Sequence, residues 1–265
     1  MKTRFFSFAV CLVCAVGAFA QIAVERLNST TVEIRHADDQ RMILDFYGPN
    51  IVRIFQDPEG GIVRDPEATP PAQILVDQPR RKVGSLSLEK NASAFVVKTD
   101  KMAVTLDAAN GLMSFTNLCT NRVVTAQTGE GVVFDAKGRT TLLLTAAADE
   151  AFYGGGVQNG RYAHAGQTIA IENTNNWVDG GVASPAPFYW SSAGYGLMWY
   201  TFRPGKYDFG QTDSKVVSLM QESPYLDVFL MINDGPVALL NDFYQLTGNP
   251  VLLPKFGFYE GHLNA

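Results

Sequence analysis

The chain has 265 residues, 46% of them hydrophobic and 18% charged, with a formal net charge of −5. That is the composition of a globular protein, with apolar surface for one large core or two modest ones. Its longest basic run is Arg80-Arg81-Lys82, which cannot neutralise a phosphate backbone, so nucleic acid is excluded as an expected partner.

Residues 1–20 read as a secretory signal peptide. Lys2 and Arg4 give the charged start, Phe5 to Val16 the apolar middle, and Ala18-Phe19-Ala20 a small-x-small cleavage site. The apolar run is too short to span a bilayer comfortably. The expectation is a secreted or periplasmic protein with no membrane partner after cleavage. Cys11 and Cys14 leave with the signal, and Cys119 remains. One thiol makes no internal disulfide, so stability has to come from the core. Cys119 is expected as a free thiol within an apolar strand.

From Thr31 to about Thr145 the pattern is strand after strand. Val32, Ile34 and His36 alternate with Glu33 and Arg35, and Met42 to Phe46 follows the Asp38-Asp39-Gln40 turn. Further runs are Ile51 to Phe55, Leu86 to Leu88, Phe95 to Lys98, Met102 to Leu106, Leu112 to Phe115, Val132 to Phe134 and Leu142 to Leu144. Short β-branched runs punctuated by Asn, Asp, Gly and Pro argue antiparallel sheets rather than alternating βαβ units. Asp57 to Arg81 carries five prolines and reads as the longest loop.

Two glycine- and amide-rich segments follow. The first is Phe152-Tyr153-Gly154-Gly155-Gly156-Val157-Gln158-Asn159-Gly160. It reads either as a tight β-turn or as a loop whose bare backbone approaches a ligand or a neighbouring domain. The second is Asn173-Thr174-Asn175-Asn176-Trp177-Val178-Asp179-Gly180-Gly181, ahead of Pro187-Phe188-Tyr189 and Gly194-Tyr195-Gly196. Sugars offer hydroxyls to Asn and Asp and apolar ring faces to Trp, although Asn, Asp and Gly are also ordinary loop residues. In Leu197 to Phe202 both side-chain rows are largely apolar, as in a strand buried on both faces. Trp190 and Trp199 then read as core residues, with sugar stacking the alternative.

A helix is expected after Asp234, which can cap it, with Pro236 in the first turn and Gly248 at its end. Val237, Leu239, Leu240, Phe243 and Leu246 form its apolar stripe. The expected organisation is a signal peptide (1–20), an all-β antiparallel sandwich (21–233), a helical linker (234–254) and the start of a further domain (255–265), where Lys255 to Glu260 is strand-like.

Most site chemistries are poorly supported. His36, His164 and His262 stand far apart in sequence without close Cys or carboxylate partners, so no metal site is expected. No Gly-x-Ser-x-Gly elbow is present, and the Gly154 cluster lacks dinucleotide-binding spacing. No cofactor is implied.

The order of these pieces resembles the N-terminal, galactose-mutarotase-like domain of glycoside hydrolase family 31, the α-glucosidase and α-xylosidase family. The matching motifs are the Phe152–Gly160 cluster, Asp179-Gly180-Gly181 before Pro187-Phe188-Tyr189, Tyr207-Asp208-Phe209-Gly210, and Leu246-Thr247-Gly248-Asn249-Pro250 with Leu253-Pro254-Lys255. Trp177-Val178 departs from the Asn-Arg that many members carry there. The resemblance implies a retaining α-glycosidase acting on an oligosaccharide or α-glycoside. It further implies that the sandwich packs against a (β/α)₈ barrel absent from this chain, where the catalytic aspartates lie. Retention needs two carboxyl groups roughly 5–5.5 Å apart, and none of Asp179, Asp208, Asp234 or Glu260 is assigned that task. Catalytic residues are therefore expected to be none, the fragment alone inactive, and the sugar contacts Asp179, Trp177 and Asn176. A free-standing carbohydrate-binding module is the alternative. An aldose epimerase is a more distant one, since only His164 lies near the loop to serve as its base.

Overall fold

The computed structural model describes residues 22–36, 38–61, 74–76, 82–252 and 254. The signal segment, Lys255 to Glu260, and most of the proline-rich stretch lie outside the described residues.

The first four strands are β1 (Ala23–Arg26), β2 (Thr31–Arg35), β3 (Arg41–Gly48) and β4 (Ile51–Gln56). A meander follows: β5 (Ser87–Lys90), β6 (Ala94–Lys98), β7 (Met102–Asp107), β8 (Met113–Asn117), β9 (Arg122–Phe134) and β10 (Thr140–Thr145). The last seven strands are β11 (Phe152–Gln158), β12 (Thr168–Ile171), β13 (Val182–Ser191), β14 (Tyr195–Trp199), β15 (Gly205–Phe209), β16 (Val216–Gln221) and β17 (Leu226–Ile232). Helix α1 (Pro236–Thr247) closes the described chain.

The strands form an eight-stranded sheet, β1-β2-β3-β4-β17-β14-β13-β11, and a nine-stranded sheet, β12-β15-β16-β10-β9-β8-β7-β6-β5. This is the antiparallel sandwich expected from the sequence. Val32, Leu44, Ile54, Leu197, Trp199, Val228 and Leu230 of the first sheet share one core with Val104, Phe115, Leu144, Tyr207 and Leu219 of the second. Sheets bury side chains on alternate faces, and in β17 both faces are covered. Leu226, Val228, Leu230 and Ile232 enter that core, while Phe229 and Met231 turn outward. The outward row meets Tyr47, Met198, Leu239 and Leu246 in a second cluster beneath α1. The two-sided strand inferred over Leu197 to Phe202 holds as far as Trp199, with a helix covering its second face, whereas Phe202 lies beyond the strand and is exposed.

That second cluster contains a buried ion pair. Arg53 donates from Nε and Nη2 to the two carboxylate oxygens of Asp227, each at 2.7 Å. The guanidinium also lies over the Tyr200 and Phe229 rings at 5.3 and 5.6 Å. Burial opposes its charge, but the bonds to Asp227 outweigh burial and keep Arg53 protonated. Helix α1 is fixed nearby through Asp242, which accepts from Asn50 at 2.7 Å and Asn233 at 3.0 Å.

Three local expectations change. Gly235, not Asp234, is the N-cap residue of α1; the Asp234 carboxylate instead accepts from Asn117 Nδ2 at 3.0 Å. Cys119 is a free thiol, as read, but lies exposed in a turn. Asn117 Oδ1 accepts from Cys119 N and so ends β8 before it. Strand β9 begins ten residues earlier than Val132, at Arg122. Gly129 and Gly131, both at positive φ, coincide with a register shift against β10 and interrupt the alternation that would have revealed it.

Candidate functional site

The glycine cluster is a strand rather than a turn or a ligand loop. Gly154, Gly155 and Gly156 have φ of 116°, 77° and 78° within β11, where pairing with β13 shifts register twice. A Cβ on Gly156 would stand 2.2 Å from Ser184 O and 2.5 Å from Ala186 N; one on Gly154 would meet Phe188 O at 2.7 Å. At Gly154 and Gly156 the bare backbone approaches the neighbouring strand, where this bulged pairing leaves no room for side chains.

The bulge delivers Gln158 and Asn159 to the edge of the sandwich, and sequence reasoning gave neither a role. Gln158 is buried, and its Nε2 donates to Gly155 O at 3.0 Å and to Ala170 O at 2.9 Å. One side chain thereby ties β11 in one sheet to β12 in the other. Asn159 holds the connection between β12 and β13. Its N–H donates to Gly181 O at 3.0 Å, its carbonyl accepts from Gly180 N at 2.8 Å, and its Nδ2 donates to Asn176 O at 2.7 Å. The two segments singled out in the sequence thus meet, the first as anchor and the second as the anchored loop.

Within the loop the amides satisfy the backbone. Asn173 Oδ1 accepts from Asn175 N at 2.9 Å, Asn176 Oδ1 from Val178 N at 3.2 Å, and Thr174 Oγ1 donates to Val182 O at 2.9 Å. These are Asx- and Ser/Thr-type turns, the ordinary role of such residues in loops. Asn176 therefore shapes the loop through both its carbonyl and its side chain.

Trp177 is 65% exposed, with its Nε1 donating to Asn175 Oδ1 at 3.1 Å. That bond holds the indole edge while most of the ring faces solvent. Asp179 is exposed, and its carboxylate lies over the backbone of Gly160, where an added Cβ would stand 3.1 Å from Oδ1. A Cβ on Gly180 would meet Arg161 Nη2 at 3.4 Å, so one guanidinium borders the same loop. An apolar ring face and a carboxylate acceptor on one pinned loop, with a guanidinium donor at its border, suit a polyhydroxylated ring.

The histidine nearest the loop is part of the fold. His164 is 1% exposed, donates from Nε2 to Gly154 O at 2.9 Å, and stacks on Phe209 at 5.8 Å. Burial holds its pKa below the usual imidazole range, against the bond to Gly154, and Arg161 adds to the depression. Trp199 is core, and Trp190 is half-buried with its ring stacked on Tyr153 at 4.3 Å. Asp208 accepts from Gln211 N at 2.7 Å and serves the turn after β15. Among the described residues no group of three or more His, Cys, Asp or Glu is placed to hold a metal ion.

Two clefts among the described residues bear on the site. The larger, about 390 Å³, includes His36, Asp38, Asn110, Gln127 and Glu130 in its lining and no residue of the loop. The smaller, about 280 Å³, begins at Ile171, Glu172 and Asn173, where the loop leaves β12. Size alone would favour the first cleft, but it presents no aromatic face.

A family model described as the glycosyl hydrolase 31 N-terminal galactose mutarotase-like domain matches residues 41–208. An α-xylosidase of Emericella nidulans is 29% identical over 140 residues, covering 50% of this chain and 17% of the relative. The Flavobacterium johnsoniae GH31 dextranase, solved with isomaltotriose, superposes with a TM-score of 0.77 at 18% identity, over 89% of this chain and 29% of its own. A GH31 α-xylosidase from a soil metagenome, solved with xylose, gives 0.72 at 16% identity, over 88% and 35%. A cycloalternan-forming enzyme of Listeria monocytogenes, in complex with a pentasaccharide substrate, gives 0.76 at 17% identity, over 91% and 23%. The chain spans about a sixth of the curated relative's length and at most about a third of these solved chains. With the matched region covering more than half its length, this chain belongs to the glycosyl hydrolase 31 N-terminal galactose mutarotase-like domain family.

Proposed function

We propose that this chain is the N-terminal sandwich of a secreted or periplasmic retaining α-glycosidase. In this reading the Asn173–Gly181 loop forms one wall of the substrate pocket. Trp177 takes an apolar sugar face, Asp179 accepts from hydroxyls, and Asn176 keeps the loop in shape. The bond-breaking carboxylates belong to a barrel against which the sandwich packs, and none is assigned within these 265 residues. Carbohydrate as substrate class is supported by relatives whose solved complexes hold isomaltotriose and xylose.

The observation that carries the reading is the exposed Trp177 ring, held at its edge by Asn175 on a loop clipped to Asn159. Trp pairs a large apolar ring face with a polar N–H, a combination enriched at binding interfaces. Pinning the loop reduces the entropy lost when a ligand docks. The test is turnover: the chain by itself releases no nitrophenol from aryl α-glycosides, and saturable release would overturn the division of labour. A free-standing carbohydrate-binding module is the second reading. It is favoured by a loop whose pinning bonds all come from the sandwich itself.

A further inference from the structure

The smaller cleft carries an inference that deepens this reading and rests on it. Its lining includes Glu172, Asn173, Pro185, Pro187, Phe202 and Arg203. Glu172 and Asn173 also lead into the loop bearing Trp177, so cleft and loop are continuous along the chain. At about 280 Å³ it lies near the lower end of small-molecule sites, roughly 300–1,000 Å³, which suits one ring rather than a polymer segment.

One wall is the part of β13 that outruns its neighbour. Pairing with β14 begins at Phe188 and Met198, while pairing with β11 continues back to Val182. Such a free strand edge ordinarily invites another strand. Pro185 and Pro187 lack the N–H that strand addition requires. The edge therefore offers proline rings and carbonyls, and a peptide strand is a poor occupant.

Phe202, on the connection from β14 to β15, is 67% exposed and faces the same cleft. Its connection is tied down on both sides. Tyr200 N donates to Asp227 O at 2.8 Å, Arg203 N to Thr201 Oγ1 at 3.1 Å, Gln221 Nε2 to Arg203 O at 3.1 Å, and Arg203 Nη1 to Glu222 O at 3.2 Å. A large aromatic displayed on a fixed backbone loses little conformational freedom on contact, which favours its use in binding. Beside it stand a carboxylate acceptor in Glu172, an amide in Asn173 and a guanidinium donor in Arg203. That set recognises hydroxyls at a ring's edge while Phe202 covers its apolar face.

We propose that this cleft is a second sugar subsite, so that the surface grips a linear oligosaccharide at Trp177 and again at Phe202. Affinity then rises with chain length, because the second contact is made by a ligand already held at the first.

The experiment is a calorimetric titration of the full chain with methyl α-glucoside and with isomalto-oligosaccharides of two to six units. Amide NMR shifts of Asn173, Phe202 and Arg203 are followed in parallel. In the unmodified chain, affinity climbs with length and those three amides move only with the longer ligands. Phe202→Ala flattens the climb and weakens hexasaccharide binding about tenfold, whereas Phe202→Tyr keeps it. Trp177→Ala weakens every ligand. Loss of binding in Trp177→Ala with no change in Phe202→Ala overturns the second subsite and leaves the loop reading standing. The reverse pattern retains the subsite and removes the loop. A flat titration in the unmodified chain overturns both. Phe202 is exposed, so an unchanged melting curve for its variants shows that lost binding is not lost folding.

Discussion

Beneath α1, Arg53 and Asp227 are almost fully buried and satisfy each other through two 2.7 Å bonds. In the Glu172–Gly181 loop the polar and aromatic side chains are exposed, and the amides bind the loop's own backbone. A buried charge stripped of its partner cannot be rehydrated, so the first region holds the fold together. An exposed side chain on a backbone that is already satisfied can be changed without unfolding, so the second region is where recognition can vary. The distinction can be broken or sharpened by substitution.

The largest effect falls beneath the helix. Asp227→Ala removes the carboxylate that takes two bonds from the buried Arg53 guanidinium and lowers stability by about 3–5 kcal/mol in urea denaturation. A loss below about 1 kcal/mol would show that the pair is solvated. Next is Gly156→Ala, which adds a Cβ 2.2 Å from Ser184 O at a φ of 78°. Overpacking against backbone together with left-handed strain costs about 2–4 kcal/mol. Gly138→Ala, at φ 72° with open space around it, isolates the strain alone at about 1–2 kcal/mol. Equal losses in the two variants would contradict the close approach of β11 and β13.

A smaller effect is expected from pH. His164 has a depressed pKa in the fold, so below about 6.5 the unfolded imidazole takes up a proton that the folded one refuses. Stability is then full above that pH and falls as pH drops toward the native pKa, below which the loss levels off. His36 is depressed in the same direction by its own burial, so each histidine is replaced by Asn in turn. The slope between these limits becomes shallower in each case. An unchanged slope in His164→Asn would show that its ring is hydrated. The smallest expected change in stability is that of Trp177→Ala, within about 0.5 kcal/mol of the unmodified chain. A greater loss, seen as a lower melting temperature, would place Trp177 among the packing residues.

The strands were legible where side chains alternate cleanly, as from Thr31 to Phe55, and where both rows are apolar, as at Leu197. They were hidden where glycine permits irregular pairing. At β9 the bulge around Gly129–Gly131 broke the period, and at β11 three glycines imitated a turn because the contacts that crowd them lie far along the chain, on β13 for Gly154 and Gly156 and at Ile169 of β12 for Gly155. A separation of 17 residues likewise concealed the partnership of Asn159 with Asn176, which only the folded sheet brings together. That Asn176, Trp177 and Asp179 lie on an exposed loop was legible by residue type, and the structure adds that the amide shapes the loop while the ring is displayed. Phe202 and its cleft were not legible, since an exposed aromatic in a connection has no periodic pattern and only the fold brings it beside Pro185 and Pro187.

The central claim is that the Trp177 loop is a ligand surface rather than a structural one, and a single NMR titration tests it most directly. Isomaltotriose added to the isotope-labelled chain should move the amides of residues 173–181 and 159–161, together with the Trp177 indole N–H, and Trp177→Ala should abolish those shifts while the spectrum remains folded. Shifts confined to the larger cleft around His36 and Asn110, or no shifts at all, would contradict it.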